Sequence, residues 1–398
     1  MPPLILVSAF LEGLSLTLIQ GYLPLYLRQV LGEPSYVTLA LVVSVPAIGT
    51  IVASNFWGGL SDVSGRLKPM VLVGLLGYAI VLAAIPLLGQ GIGILVAVGT
   101  ASLFYGTLAP SLKTFVTLAK PDRKEQALAF VLMSQSIGWF TGSVGGGWLL
   151  EGGIGAGLRA ALGIASTLVA AHLVVCALRL TDMRREPLPQ RDHGGWLDRV
   201  AKDLASLYEN PRLLGLSIVS VLFVAGNYVM WGFFSVFMVE HLGASITVLR
   251  FALGISSLLG IVSFLFVGSL VRRIGGRPLL ATGLTLYMVM YLGMSLSRNP
   301  VLAATFFAIP LYSMVNVSTH TLASEYSSAS QRGGGLGVLQ GAYALATLLG
   351  PVTGGLLADR IGLGAIPWLA FGFLTLAAPI AWVFAGRGKS ARKAPGAL

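Results

Sequence analysis

Twelve apolar runs, each about twenty residues or longer, occupy most of this 398-residue chain, and short polar connections separate nearly all of them. They fall at 3–27, 36–60, 69–89, 92–119, 126–150, 158–180, 213–239, 246–271, 278–297, 300–324, 334–358 and 364–386. At a rise of about 1.5 Å per residue such a run crosses a hydrocarbon core roughly 30 Å thick, and a continuous apolar run satisfies its own backbone there as a helix. The expected fold class is therefore an all-α membrane protein with twelve transmembrane helices. Composition agrees, because 55% hydrophobic and 10% charged residues leave too little polar surface to clothe a soluble core of this size.

A formal net charge of +11 would suit a nucleic-acid binder if the cations formed one face. Instead they lie in short loops, so no nucleic-acid partner is expected. Loops 61–68, 120–125, 179–212, 272–277 and 325–333, with the C-terminal tail, hold 20 of the 26 Lys and Arg residues. The opposite side holds Arg28, Arg159, Arg250, Arg298 and Arg360, and Lys113 lies within a helix. An even number of spans puts both termini on one side, and the cation bias places that side in the cytoplasm. The single cysteine, Cys176, excludes an internal disulfide framework and a cysteine metal cluster. No phosphate-binding loop, nucleophile motif or metal motif is present, so neither an enzyme nor a cofactor is expected. The first apolar run starts at the N-terminus and is long enough to span, which argues against a cleavable signal peptide.

The chain also repeats itself. An offset of 211 residues carries Gly65-Arg66 onto Gly276-Arg277 and Leu31-Gly32 onto Leu242-Gly243. A similar offset of 208 carries Gly146-Gly147-Trp148-Leu149-Leu150-Glu151 onto Gly354-Gly355-Leu356-Leu357-Ala358-Asp359, and Gly142 onto Gly350. Two six-helix bundles follow, at 1–180 and 213–386, joined by a cytoplasmic linker at 181–212 and followed by a basic tail at 387–398. In the linker, Trp196, Val200, Leu204, Leu207 and Tyr208 recur at helical spacing beyond Arg184, Arg185 and Arg191, which fits an amphipathic helix on the inner leaflet.

The stretch Gly58-x3-Asp62-x2-Gly65-Arg66-x-Lys68 resembles the loop between helices 2 and 3 of the major facilitator superfamily of secondary transporters. The resemblance implies two pseudo-symmetric bundles that rock about a site near mid-membrane, with helices 1, 4, 7 and 10 lining the cavity. The stretch itself reads either as a plain topogenic turn or as a cytoplasmic gate at Gly58, Asp62, Gly65, Arg66 and Lys68, in which Asp62 meets the positive N-terminal end of helix 11 near Gly334. Its glycine spacing and lone acid favour the gate. Phe10-Leu11-Glu12-Gly13 followed by Gln20-Gly21-Tyr22-Leu23-Pro24 is similar to helix 1 of the drug:proton antiporter branch, which often carries an acid twelve residues before a proline. The glycine-rich part of helix 5 resembles a stretch common in exporters. Helices 5 and 11 are expected to touch across the halves near the outer face, either as plain packing or as part of an outer gate.

Ionisable groups are costly in the bilayer, which makes the deep ones informative. They are Glu12, Lys113, His172 and His320. Glu12 and Lys113 both lie roughly 10 to 14 Å from the inner end of their helices and can pair. One reading is a fixed salt bridge. The other makes Glu12, with Lys113 and His320, a proton-coupling site whose proton affinity follows water access and neighbouring charge. His172, isolated on helix 6, reads as structural. On helix 10, Tyr312, Asn316, Thr319 and His320 share one face. Gln20, Gln135, Asn227, Tyr228, Trp231, Phe234 and Gln340 complete an aromatic and amide wall suited to an amphipathic organic solute or a sugar.

The expected function is secondary active transport by alternating access. Proton-coupled export of small drug-like or metabolite compounds is favoured by helix 1 and the glycine-rich helix 5. Import of a sugar or other metabolite is the alternative, supported by the amide and aromatic lining. The expected partners are a small-molecule substrate, protons and the lipid bilayer of a bacterial inner membrane, with the protein a monomer.

Overall fold

A computed structural model describes residues 3–119, 124–182, 210–326 and 332–386. The expected linker helix and the basic tail lie outside these residues, as do the side chains of Gly58, Asp62 and Gln340. The chain forms α1 (Pro3–Gln29), α2 (Tyr36–Ser64), α3 (Lys68–Leu87), α4 (Gly91–Ala119), α5 (Lys124–Leu150) and α6 (Ile154–Arg179). After the linker come α7 (Pro211–His241), α8 (Ile246–Ile274), α9 (Gly276–Leu296), α10 (Pro300–Tyr326), α11 (Arg332–Ile361) and α12 (Ala365–Gly386). Among the described residues, ten of the helices are long and apolar enough to cross a membrane by length and composition. Of the other two, α2 is apolar over Tyr36–Thr50, and several of its side chains beyond Thr50 lie outside the described ones. In α5 the hydropathy is diluted by Ser134, Gln135, Ser136, Thr141, Ser143 and five glycines between Gly138 and Gly147.

Two proline effects interrupt the ladders. Pro24 has no N–H to give the Gln20 carbonyl, and α1 widens into a π-turn over Leu18–Tyr22. In α10, read from sequence as one span, Pro310 splits the helix into Pro300–Ala308 and Tyr312–Tyr326. The residue before a proline avoids the helical region, and Ile309 is extended, with ψ 122°. Backbone unwound at membrane depth is tolerated where it is buried in protein or lines a cavity.

The duplication is written into the helix ends. Gly32 and Gly243 both take φ +67°, a left-handed conformation in which glycine carries no Cβ penalty. Around them the same bonds recur at the same offset: Leu31 N–H donates to the Tyr26 carbonyl and Glu33 N–H to the Leu27 carbonyl, just as Leu242 donates to Phe237 and Ala244 to Met238. The two helices are closed by one cap used twice.

Within each half, glycine sets the closest helix crossing. A Cβ on Gly13 would stand 2.0 Å from the Gln135 carbonyl oxygen, and one on Gly138 would stand 2.0 Å from that of Phe10. The backbones of α1 and α5 therefore meet. In the second half, a Cβ on Gly350 would stand 2.5 Å from the Ala225 carbonyl oxygen, which brings α11 onto α7 in the same way. Close backbone approach is what dispersion and polar contacts exploit in lipid, where no hydrophobic driving force separates helix from solvent.

The expected contact between helices 5 and 11 is not how the halves meet. Instead α5 packs on α8 and α11 packs on α2. A small-residue stripe specifies close approach but not the partner: here most of each stripe faces α1 or α7 of its own half, and among the described residues only Gly147 and Gly355 face the other half, at α8 and α2. Bonds between halves gather at the face opposite the basic loops: Arg28 to Glu240 at 3.2 Å, Ser35 to Asp359 at 3.0 Å, and Thr247 to Glu151.

Candidate functional site

Glu12 is buried in the first half, 4% exposed, and its carboxylate accepts a hydrogen bond from Gln135 Nε2 at 2.7 Å. The close α1–α5 crossing at Gly13 and Gly138 is what brings the two side chains together. Tyr105, on α4, hydrogen-bonds the same carboxyl. An uncompensated charge at this depth costs ~2.5 to 3.5 kcal/mol on insertion scales. A hydrogen bond to a charged group recovers about 1.5 to 3 kcal/mol, so the amide offsets a cost of its own size.

The salt bridge weighed as one reading of Glu12 and Lys113 is not formed: no ion pair joins them among the described residues. Lys113 is exposed and acts on the carboxylate through its charge from beyond contact distance. The physical reason is helix packing, since α1 lies hard against α5 and so meets Gln135 first.

One turn beyond Gln135 on α5 stands Trp139, and from there an aromatic wall runs across the two halves. Trp139 and Trp231 have ring centroids 5.6 Å apart, Trp231 stacks on Phe307 at 6.0 Å, and Phe234 stacks on Phe307 at 3.6 Å. Trp231 Nε1 donates to Gln20 Oε1 at 3.2 Å, a bond from α7 to the π-turn of α1. Phe307 sits just before the Pro310 break and Tyr312 just after it.

The second half supplies hydrogen-bonding groups. Tyr312 is 43% exposed and accepts from Asn316 Nδ2 at 3.2 Å. Below them on α10, Thr319 hydrogen-bonds Tyr343 of α11, and His320 stands edge-on to the same ring at 6.1 Å. Tyr228 hydrogen-bonds Thr347. Asn227, placed on the wall by its spacing, instead accepts from the Tyr291 hydroxyl of α9 at 3.0 Å, inside its own half. His172 lies between Ser8 Oγ at 2.9 Å and Cys176 Sγ at 3.3 Å, which ties α6 to α1. Among the gate-loop residues, Gly65 takes φ +63°, Arg66 is exposed, and Lys68 Nζ donates to the Ala177 carbonyl at 2.8 Å.

Sequence reasoning passed over Tyr105, Trp139, Phe307 and Tyr343. Trp139 and Phe307 carried a signal. Trp139 follows Gln135 by one helical turn, and Pro310 in the middle of an apolar run marks a break whose flanks face a cavity more readily than lipid.

The arrangement resembles known proteins at two levels. The profile of the Major Facilitator Superfamily matches residues 5–309 and 216–398. Multidrug resistance protein MdtG of Citrobacter koseri is 28% identical over 309 residues, covering 74% of this chain and 72% of that protein. By fold, nucleoside transporter NupG superposes with TM-score 0.77 at 14% identity, over 98% of this chain and 100% of its own. A bacterial homologue of the human lysosomal transporter Spinster, in an inward-facing and unoccupied conformation, gives TM-score 0.76 at 15% identity, over 99% and 98%.

Proposed function

The chain belongs to the major facilitator superfamily, and from that premise we propose that it is a secondary active transporter that exports small amphipathic organic compounds in exchange for protons. The observation that carries the proposal is one buried carboxyl, Glu12, held by Gln135, which stands a single helical turn from the start, at Trp139, of an aromatic wall that both halves build. The relatives bearing a multidrug resistance name support export of drug-like compounds.

The mechanism is alternating access across the two halves. A flat, apolar part of the substrate lies against Trp139, Trp231 and Phe307, while Tyr312, Asn316 and the unwound backbone at Pro310 meet its polar groups. Glu12 takes up or gives up its proton as one face or the other admits water. Gln135 keeps the acid in place in both forms, since its amide can donate to a carboxylate and accept from a carboxylic acid. Lys113 contributes a fixed positive charge that the protonated form no longer feels as attraction. In this reading the basic loops face the cytoplasm, both termini lie there, and Asp62 belongs to the cytoplasmic gate of a bacterial inner-membrane protein.

Purified protein in liposomes, challenged with a panel of lipophilic dyes with and without a pH step, tests this. Dye flux should follow the pH step and lose that dependence in Glu12→Gln. Flux that ignores the step and survives the substitution would overturn proton coupling. The hydrogen-bonding groups at Tyr312, Asn316 and Tyr228 favour a second reading, import of a sugar or similar metabolite, and uptake running down the proton gradient with the substrate would select it.

A further inference from the structure

The glycine and carboxylate repeated as Gly147 with Glu151 and Gly355 with Asp359 take no part in the substrate site, yet each sits where the halves meet. We propose that they are paired latches that hold the protein closed at the face opposite the basic loops. In each, the glycine lets its helix cross a helix of the other half at close quarters, and the carboxylate one turn later grips the start of that helix.

The stronger latch joins α11 to α2. A Cβ on Gly355 would stand 2.9 Å from the Tyr36 carbonyl oxygen and 3.0 Å from the Val37 nitrogen, so only glycine lets the backbones approach this far. Four residues on, Asp359 accepts from Tyr36 N–H at 2.7 Å, Val37 N–H at 3.4 Å and Ser35 Oγ at 3.0 Å. These amides open α2, where the first N–H groups have no partner within the helix and the positive end of its dipole attracts an anion. Asp359 thus shares the capping of α2 with Ser35, whose Oγ accepts the Val37 N–H at 3.1 Å, but does so from the other half of the molecule. Arg28 braces the same corner, its guanidinium 4.5 Å over the Tyr36 ring and its Nε 3.2 Å from Glu240.

The second latch repeats the first at the offsets that relate the halves. A Cβ on Gly147 would stand 2.3 Å from the Arg250 Cβ. Four residues on, Glu151 accepts from Thr247 Oγ1 and lies 3.4 Å from Arg250 Nε, both in the first two turns of α8. Thr247 is the 211-offset counterpart of Tyr36. The grip here is on side chains alone, whereas Asp359 also takes the Tyr36 N–H; in both helices a serine, Ser245 here and Ser35 there, caps a first-turn N–H. Removing Asp359 should therefore release more than removing Glu151. Asp359 is exposed, so water can take over its bonds when the face opens, as a latch requires.

The inference rests on the alternating-access reading, and two probes in a Cys176→Ser background keep the two separable. Val43, 3% exposed, with its Cγ1 3.6 Å from where a Cβ on Gly232 of α7 would stand, becomes Val43→Cys, whose labelling by a membrane-impermeant maleimide reports opening of this face. Spin labels at Ser64→Cys and Arg273→Cys, both exposed at the basic end, report the distance between the halves there. Asp359→Asn and, separately, Gly355→Ala should each speed Val43→Cys labelling about tenfold and shift the spin-label distance shorter, with Glu151→Gln giving a smaller change in the same direction. Labelling within about twofold of the parent in both Asp359→Asn and Gly355→Ala overturns the latch. Faster labelling with an unmoved, sharp spin-label distance keeps the latch and overturns the rocking of halves. Faster labelling with a broadened distance distribution marks unfolding, and in both variants it too overturns the latch.

Discussion

Gln135 Nε2 reaches the Glu12 carboxylate at 2.7 Å because the helices that carry them touch at Gly13 and Gly138. Substituting either member of the pair tests different things. Glu12→Gln keeps the shape and a hydrogen-bonding partner for Gln135 but holds no exchangeable acid proton. Flux driven by a pH step should fall at least about tenfold, while dye binding, measured by fluorescence quenching, stays within about threefold. Gln135→Leu leaves the carboxyl without its amide, at a cost of about 1.5 to 3 kcal/mol when charged. It should lower pH-driven flux as well, and lower the melting temperature, which Glu12→Gln should not.

The glycine crossings predict stability directly. Gly138→Ala would place a methyl 2.0 Å from the Phe10 carbonyl oxygen, which is backbone and cannot swing aside. The cost of forcing α1 and α5 apart is about 1 to 3 kcal/mol, and the detergent-solubilised protein should melt several degrees lower. Gly145→Ala on the same helix meets nothing within 4 Å and replaces a poor helix former with a good one. It should be neutral or raise the melting temperature. Equal effects at the two positions would remove close packing as the role of this stripe.

Much of this architecture is legible in the residues. Apolar runs of membrane length announce helices whatever their tertiary partners, and the capping glycines Gly32 and Gly243 advertise the repeat because few other residues accept their backbone angle. The break in α10 hides for a simple reason. Ile309 and Leu311 are apolar, so hydropathy runs smoothly over Pro310, and only the ring's effect on its neighbour reveals it. Partner choice hides more deeply. Glycine at Gly142 and Gly350 says that a backbone comes close, yet that it comes from α1 and α7, helices of the same half, depends on how the helices bundle. The same ignorance put Lys113 forward as the partner of Glu12, when a neutral amide on the nearest helix takes that place.

Trp231 combines two contacts that substitution can separate. Its indole N–H bonds Gln20 across the halves at 3.2 Å, and its ring stacks on Phe307 at 6.0 Å. Trp231→Phe keeps a ring and removes the bond, whose net worth is about 0.5 to 1.5 kcal/mol. Apparent dye affinity should weaken by up to about tenfold. Trp231→Ala removes both, and should weaken it further for dyes with fused aromatic rings while sparing non-aromatic substrates. A uniform loss over all substrates would make Trp231 a packing residue instead of a wall of the site.

Pro310 offers the sharpest separation of stability from function. A proline in a helix interior removes a backbone bond and costs about 3 kcal/mol, and here the chain accepts that cost between the ring of Phe307 and the hydroxyl of Tyr312. Pro310→Ala gives the residue an N–H and frees Ile309 to become helical. If the break exists to present backbone and rings to a substrate, the variant should melt at the same temperature or higher while its dye flux falls about tenfold, because healing the helix rotates Tyr312 and Asn316 relative to Phe307. Full transport with raised stability would mean that the unwound turn is a relic of packing and that the substrate never touches it. Lowered stability would show instead that neighbouring helices are built around the kink. Melting curves and proteoliposome flux on the same preparation distinguish the three, and the first outcome is the one the stacked ring and exposed hydroxyl on either side of Pro310 require.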